Sequence, residues 1–125
     1  MQNQAAMAYQ QVAKQTVSPR DLESSLLSKS ASRLQRIRDD WDNTQTDLNE
    51  ALLFNRRLWQ VFLTSVTRED NPLPKNIREN VANLGLFVMK QTVMTQAKPD
   101  PGKLSVLITI NRELALGLRA AAANS

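Results

Sequence analysis

The sequence has no cysteine and no histidine. The missing cysteines exclude disulfides, thiolate nucleophiles and Cys-based metal sites, and the missing histidines exclude Ser-His catalysis, His-based zinc sites and an imidazole switch at neutral pH. The three glycines, Gly85, Gly102 and Gly117, are too scattered along the sequence to build a phosphate-binding loop. We therefore expect no enzyme, no cofactor and no metal site.

Long apolar runs are also missing, as is a basic N-terminal stretch followed by an apolar segment. We expect no membrane span, no signal peptide and a cytoplasmic location, which suits a chain without cysteine. The acidic residues Asp39, Asp40 and Asp42 lack the glycine turn and the distal glutamate of an EF-hand loop. We interpret them as a solvated helix end.

Positive charge exceeds negative charge only slightly, with 16 Lys and Arg against 12 Asp and Glu. The densest basic cluster, Arg33, Arg36 and Arg38, is followed at once by acidic residues, and no RRM, KH or zinc-finger pattern occurs. A solvated charged face is the preferred interpretation of these arginines. Nucleic-acid binding is retained only as an alternative.

Apolar residues recur at helical spacing between a few proline-rich and glycine-containing breaks, which predicts an all-α bundle of about five helices. At 125 residues the chain should form one domain, residues 1–125, with weakly ordered ends at 1–5 and 121–125. A first helix should cover roughly 2–16. A second should begin at Pro19, with Ser18 as its N-cap, and should fray within DDWDNTQT, residues 39–46.

The third helix should run from Asp47, through a capping box with Glu50, to about Arg68. Two prolines in REDNPLPK end it, and we interpret Asn71, Leu73 and Pro74 as turn residues, with Pro74 also opening the fourth helix to about Ala97. The fifth helix should follow the KPDPGK turn and cover roughly 103–120. Helices three to five should form the core of the bundle.

The segment LLFNRRLWQVF, residues 52–62, places an asparagine in the middle of an apolar stripe. The stripe comprises Leu48, Ala51, Leu52, Leu58, Trp59, Phe62, Leu63 and Val66, with Asn55 at its centre. The fifth helix repeats the pattern around Asn111 in INREL. We predict that helices three and five pack with Asn55 and Asn111 in or near contact, as a core asparagine fixes register in coiled coils. Bonding of each amide to local backbone or water is the alternative.

The fourth helix carries apolar residues on two nearly opposite sides, and Gly85 in its interior suggests a close helix contact. The third helix has a second, smaller apolar set. Together these residues predict an apolar groove for an amphipathic helix, lined by Leu53, Phe54, Val61, Leu86, Met89 and Val93, with Arg57 at its rim. Alternatively, helices one and two cover the same surface. A second copy of the chain could also cover it, and the empty protein would then self-associate.

Several segments together resemble the FlaF family of flagellar proteins: NRRLWQVF, DNPLPKNIR, NLGLFV and LITINREL followed by GL. The similarity is dense over about residues 50–118, and AYQQVAKQTVSPRDLE at 8–23 resembles the family's opening segment. The residues of this sequence that we assign to the structural motif of the family are Asn55, Trp59, Gly85, Asn111 and Arg112.

This resemblance implies a cytoplasmic helical protein that supports flagellin production and export, either as a flagellin chaperone or as a regulator acting with FlbT. The terminal segments of flagellin are long amphipathic helices, so the predicted groove fits the chaperone role. The alternative is a post-transcriptional regulator that acts with FlbT or on flagellin messenger RNA through Arg33, Arg36 and Arg38.

Overall fold

A computed structural model describes residues 19–123, and in this range the chain is helical with no strand. Its helices are α1 (Pro19–Asp39), α2 (Trp41–Thr44), α3 (Leu48–Val66), α4 (Lys75–Ala97) and α5 (Leu104–Ala123), with 3-10 turns at Gln45–Asp47 and Pro101–Lys103. The predicted all-α bundle is confirmed. The predicted helix over 2–16 and the Ser18 cap lie outside the described residues.

The break predicted after the second helix is also confirmed, and local side chains cause it. Asn43 Nδ2 donates to Asp40 Oδ1 over 2.8 Å, and Thr44 Oγ1 donates to the Asp40 carbonyl oxygen over 2.6 Å. Such bonds offer the backbone alternatives to a continuous helix. As a result α1 ends at Asp39, and only the short α2 and a 3-10 turn separate it from α3.

One predicted capping bond and two predicted helix ends were wrong in detail. The Asp47 side chain makes no capping hydrogen bond, because a 3-10 turn already leads the backbone into α3. Pro74 is the N-cap of α4 rather than its first helical residue, since its extended backbone has ψ of 148°. The last helix continues to Ala123 instead of ending near 120, as a run of alanines with high helix propensity favours.

The core is broader than helices three to five, and this part of the prediction needs correction. Helix α1 packs along α5 in the opposite direction, as two hydrogen bonds show: Ser24 Oγ donates to the Ala115 carbonyl oxygen over 2.8 Å, and Arg38 Nη1 donates to Ser105 Oγ over 3.3 Å. Helix α1 contributes six buried apolar residues, Leu22, Leu26, Leu27, Ala31, Leu34 and Ile37. Small buried residues between the leucines of α1 allow α1 and α5 to pack closely. The spacing of large apolar residues alone did not predict this packing.

Near its start, α1 also carries a half-buried acid, Glu23. Burial raises the pKa of Glu23 above its ordinary value, and the nearby Arg20 offsets only part of this effect. Because the folded state holds this proton more tightly than the unfolded state, the ionised carboxylate lowers stability at neutral pH.

We therefore expect Glu23→Gln to raise the melting temperature at pH 7. The advantage over the parent should shrink as the pH falls and should disappear below about pH 4, where the parent acid is protonated in both states. Thermal melts followed by circular dichroism across this range provide the measurement. The exposed Glu113→Gln is the control and should have little effect at pH 7. An unchanged or lower melting temperature of Glu23→Gln at pH 7 would contradict this account.

Candidate partner-binding surface

A buried network of polar side chains joins three helices at the centre of the bundle. Trp59 Nε1 donates to Asn111 Oδ1 over 2.9 Å, and Asn111 Nδ2 donates to Asn55 Oδ1 over 2.7 Å. Ser30 Oγ donates to the same Asn55 oxygen over 2.8 Å. The predicted contact between Asn55 and Asn111 is confirmed. The serine from α1 was not predicted.

The indole group decides how both amides in this network are oriented. An indole N–H can only donate, so the Asn111 oxygen must face Trp59 and its nitrogen must face Asn55. That nitrogen in turn requires the oxygen of Asn55 as its acceptor. The network thereby fixes the register of α1, α3 and α5 against one another. On the surface, Arg112 adds a link between α5 and α1, because its Nη2 donates to Gln35 Oε1.

Helices α3 and α4 meet closely at Gly85, as predicted. A Cβ atom at this position would lie 2.6 Å from Leu63 Cδ2 and 2.8 Å from Leu63 Cγ, so the glycine leaves the space that the leucine fills. Five residues of α4 are buried: Val81, Gly85, Val88, Thr92 and Thr95. They form one side of the helix.

Most of the large apolar side chains exposed in the described part of the chain belong to α4. They are Ile77, Leu84, Leu86, Phe87, Val93 and Met94 on α4, with Val61 on α3 and Leu116 on α5. A surface helix usually directs its apolar residues inward and its polar residues outward. Helix α4 departs from this pattern. Much of its apolar surface is not covered by any other part of residues 19–120.

The residues of the predicted groove differ in exposure. Leu86 and Val93 are 64% and 62% exposed, and Val61 is 53% exposed. Half-buried positions are occupied by Leu53, Arg57 and Met89.

Phe54 was assigned wrongly to the open groove, since only 6% of it is exposed and it belongs to the core. It lies four residues before Leu58 and eight before Phe62. It therefore extends their buried row on α3.

Five residues of the predicted groove lie on the same side of the helix pair, whereas Val61 lies about 160° from Leu63 on α3 and is not part of this side. Measured about each axis at 100° per residue, Leu53 and Arg57 lie about 80° and 120° from Leu63, and on α4 Val93 and Leu86 lie about 80° and 100° from Gly85. Consecutive helices that pack after a short loop run antiparallel, and in such a pair the same sense of rotation leads to the same side. We call this surface the outer α3–α4 face, formed by Leu53, Arg57, Leu86, Met89 and Val93.

A concavity of about 550 Å³ adjoins this face on α3, where the helix meets the following loop. It is lined by Arg57, Gln60, Val61, Thr64, Ser65, Arg68, Asp70, Asn71 and Pro72. Asn71 Nδ2 donates to the carbonyl oxygen of Ser65 over 3.1 Å, and Leu73 N donates to Asn71 Oδ1 over 3.0 Å. These bonds fold the loop back on α3, and they confirm the turn role predicted for Asn71.

At the rim of the concavity, Arg68 and Asp70 form a two-point ion pair. Arg68 Nε and Nη2 donate to the two carboxylate oxygens over 3.0 and 2.9 Å. These bonds, together with the charge of Arg68, lower the pKa of Asp70. Both side chains are largely exposed, so the pair shapes the rim more than it stabilises the fold.

The arginines of the alternative nucleic-acid patch are partly engaged within the protein. Arg33 forms an ion pair with Glu50 over 3.7 Å, and Arg38 forms one with Asp39 over 3.0 Å. Arg36 is exposed. Acidic neighbours thus offset two of the three positive charges of this cluster.

No helix in residues 19–123 has the length and apolar character needed to cross a membrane. The bundle, with its buried amide network and its uncovered apolar helix, belongs to the class of flagellar proteins, as comparison with family models shows. Residues 5–118 match the family described as flagellar protein FlaF. The chain therefore belongs to the FlaF family. Neither the curated proteins nor the solved structures contain a significant match.

Proposed function

We propose that this flagellar protein is a chaperone that binds a helical terminal segment of flagellin and supports the production and export of flagellin. The binding site is the outer α3–α4 face. The observation that carries the proposal is the exposure of Leu86 and Val93 beside the half-buried Met89 on α4.

The chemistry of this face favours an amphipathic helix as the ligand. Leu86, Met89 and Val93 follow the three- and four-residue spacing that presents apolar groups along one side of a helix. Fully burying a leucine or valine side chain contributes about 1.5–3 kcal/mol, so covering two exposed residues and one half-buried residue supplies a useful share of a binding free energy. Arg57 borders the face, and an acidic residue on the flagellin helix would pair with it and mainly increase the association rate.

Binding of purified flagellin to variants of α4 tests this proposal. We expect Leu86→Lys combined with Val93→Lys to weaken flagellin binding at least tenfold in titration calorimetry, because two apolar contacts are replaced by charges that must be desolvated. Phe87→Lys combined with Met94→Lys is the matched control. These residues are 45% and 47% exposed and lie about 100° further around α4, on the side of the helix that faces away from Gly85.

The control variant should bind flagellin within about twofold of the parent. Equal losses in both variants, or no loss in the first, would reject the outer α3–α4 face as the site. Flagellins lacking one or the other terminal helix would identify the bound segment, because only one deletion should abolish binding. Co-purification of flagellin that disappears after nuclease treatment would instead favour the messenger RNA alternative.

A further inference from the structure

Two arginines on α5 carry a positive charge that the described part of the chain does not neutralise. Arg112 Nη2 donates to Gln35 Oε1, and Arg119 Nη2 donates to Ser28 Oγ over 3.1 Å. Both acceptors are neutral, and no acidic side chain in residues 19–120 forms an ion pair with either arginine. The two bonds to α1 therefore hold the guanidinium groups in place without cancelling their charge.

This arrangement differs from that of other arginines in the bundle. Arg33, Arg38 and Arg68 each form an ion pair with an acidic side chain. Arg112 and Arg119 are both exposed, so an anionic group from outside the molecule can reach them. A side chain that the protein already holds loses less conformational freedom when it binds such a group. The two arginines are thus preorganised for an anionic partner.

An exposed apolar residue lies between the two arginines on the same side of α5. At 100° per residue, Leu116 lies about 40° from Arg112 and about 60° from Arg119, whereas Glu113 lies about 100° from Arg112 on the side away from α1. Leu116 is 63% exposed. The arginines are seven residues apart, or about 10 Å along the helix axis. We call Arg112, Leu116 and Arg119 the α5 stripe.

The α5 stripe is complementary to an acidic amphipathic helix. Residues at i, i+3 or i+4, and i+7 share one side of a helix, so two acidic residues seven apart present their carboxylates at the same separation of about 10 Å. An apolar residue between them would cover the exposed leucine. Arginine also binds carboxylates through two parallel hydrogen bonds. Single-stranded nucleic acid fits less well, because α5 has no aromatic side chain on which a base can stack.

We propose that the α5 stripe binds an acidic amphipathic helix of a second protein, in which two acidic residues seven apart flank an apolar residue. The stripe lies beside α1, whereas the flagellin site of the proposed function is formed by α3 and α4. This inference therefore goes beyond the proposed function and does not depend on it. One copy of the protein can hold both partners at the same time and so connect them.

Synthetic helices test the spacing of the acidic groups. The probe is a fluorescently labelled amphipathic helix with two glutamates seven residues apart and a leucine four residues after the first. A helix of the same composition with its glutamates five residues apart is the control. We expect the probe to bind at least fivefold more tightly in anisotropy titrations at low salt, because only its carboxylates reach both arginines. Equal affinities, or no binding of the probe, would overturn the proposal.

Variants of the full chain test the two arginines. Arg112→Gln combined with Arg119→Gln should weaken binding of the probe helix at least fivefold. Lys29→Gln combined with Arg36→Gln is the matched control, since it removes the same charge from two exposed positions on α1 that face away from α5. It should bind the probe within about twofold of the parent. Equal losses in the two variants would show a general attraction to a basic protein and would reject the stripe.

Charge reversal separates direct contact from a change in fold. Arg112→Glu combined with Arg119→Glu should reject the probe and bind a helix in which lysines replace its two glutamates. Circular dichroism melts check that the variant is folded. A folded variant that binds neither helix would argue against direct pairing. Arg119→Gln alone, near the end of α5, should still weaken probe binding at least twofold, and an unchanged affinity would exclude it from the site.

A last comparison distinguishes the protein partner from nucleic acid. Leu116→Ser should weaken binding of the probe helix at least twofold, because it removes the apolar contact. Labelled oligouridine serves as the competing ligand. Oligouridine that binds more tightly than the probe, depends on Arg112 and Arg119 and is insensitive to Leu116→Ser would replace the acidic helix with RNA as the partner.

Discussion

Asn111→Ala should lower the free energy of unfolding by about 2–4 kcal/mol. The substitution removes the acceptor of the buried Trp59 N–H and the donor to Asn55, and it leaves a small cavity. Stranding a buried polar group costs about 1–3 kcal/mol, and the lost packing adds to this. Urea denaturation at pH 7 would measure the change.

The control for this prediction is Thr109→Ala, an exposed position on the same helix. It should change stability by no more than about 0.5 kcal/mol. A double-mutant cycle of Asn55→Ala and Asn111→Ala should give a coupling energy of about 1 kcal/mol or more, since the two amides bond directly. Additive effects of the two substitutions would show that the contact between the amides does not stabilise the fold.

Gly85→Leu should destabilise the protein by about 1–3 kcal/mol through overpacking. Its first side-chain carbon would already lie within 3 Å of two carbon atoms of Leu63, so either the leucine or α4 must move. Adding Leu63→Ala should recover part of the loss, because the smaller side chain vacates the required space. The double variant should therefore be more stable than the sum of the two single effects predicts.

Gly117→Leu is the matched control, since a Cβ atom added at this helical glycine meets no atom within 4 Å. It should raise stability by up to about 1 kcal/mol, as expected when leucine replaces glycine in an exposed helix. The two glycine variants should thus shift the urea midpoint in opposite directions. A shift of the same sign would argue against the close approach of α3 and α4.

The helices and the amide contact could be predicted from the sequence because their signals are local and periodic. Two apolar stripes, each with an asparagine at its centre, were sufficient to place Asn55 against Asn111. The contribution of Ser30 could not be predicted in this way, because a serine in a helix gives no sign of which neighbour will bury it. The start of α3 at Asp47 was predicted correctly, but the capping bond of its side chain was not formed, and the preceding 3-10 turn has no strong sequence signature.

The candidate site was only partly predictable. The spacing of apolar residues along α4 correctly indicated a separate apolar side at Leu86 and Val93. Val81, Gly85 and Val88 form the buried side of this helix, so Leu86 and Val93 remain exposed. The position of the concavity depends on a loop that folds back through Asn71 and Ser65. A contact between a loop and a helix follows no periodic pattern, so the position of the concavity could not be predicted from the sequence.

The buried amide network includes α1, α3 and α5 but no residue of α4. Helix α4 is retained by five buried residues and by the turns at its two ends. Local unfolding costs least where few apolar groups must be exposed to water. We therefore expect local unfolding of the bundle to begin at α4, while the amide network keeps α1, α3 and α5 aligned.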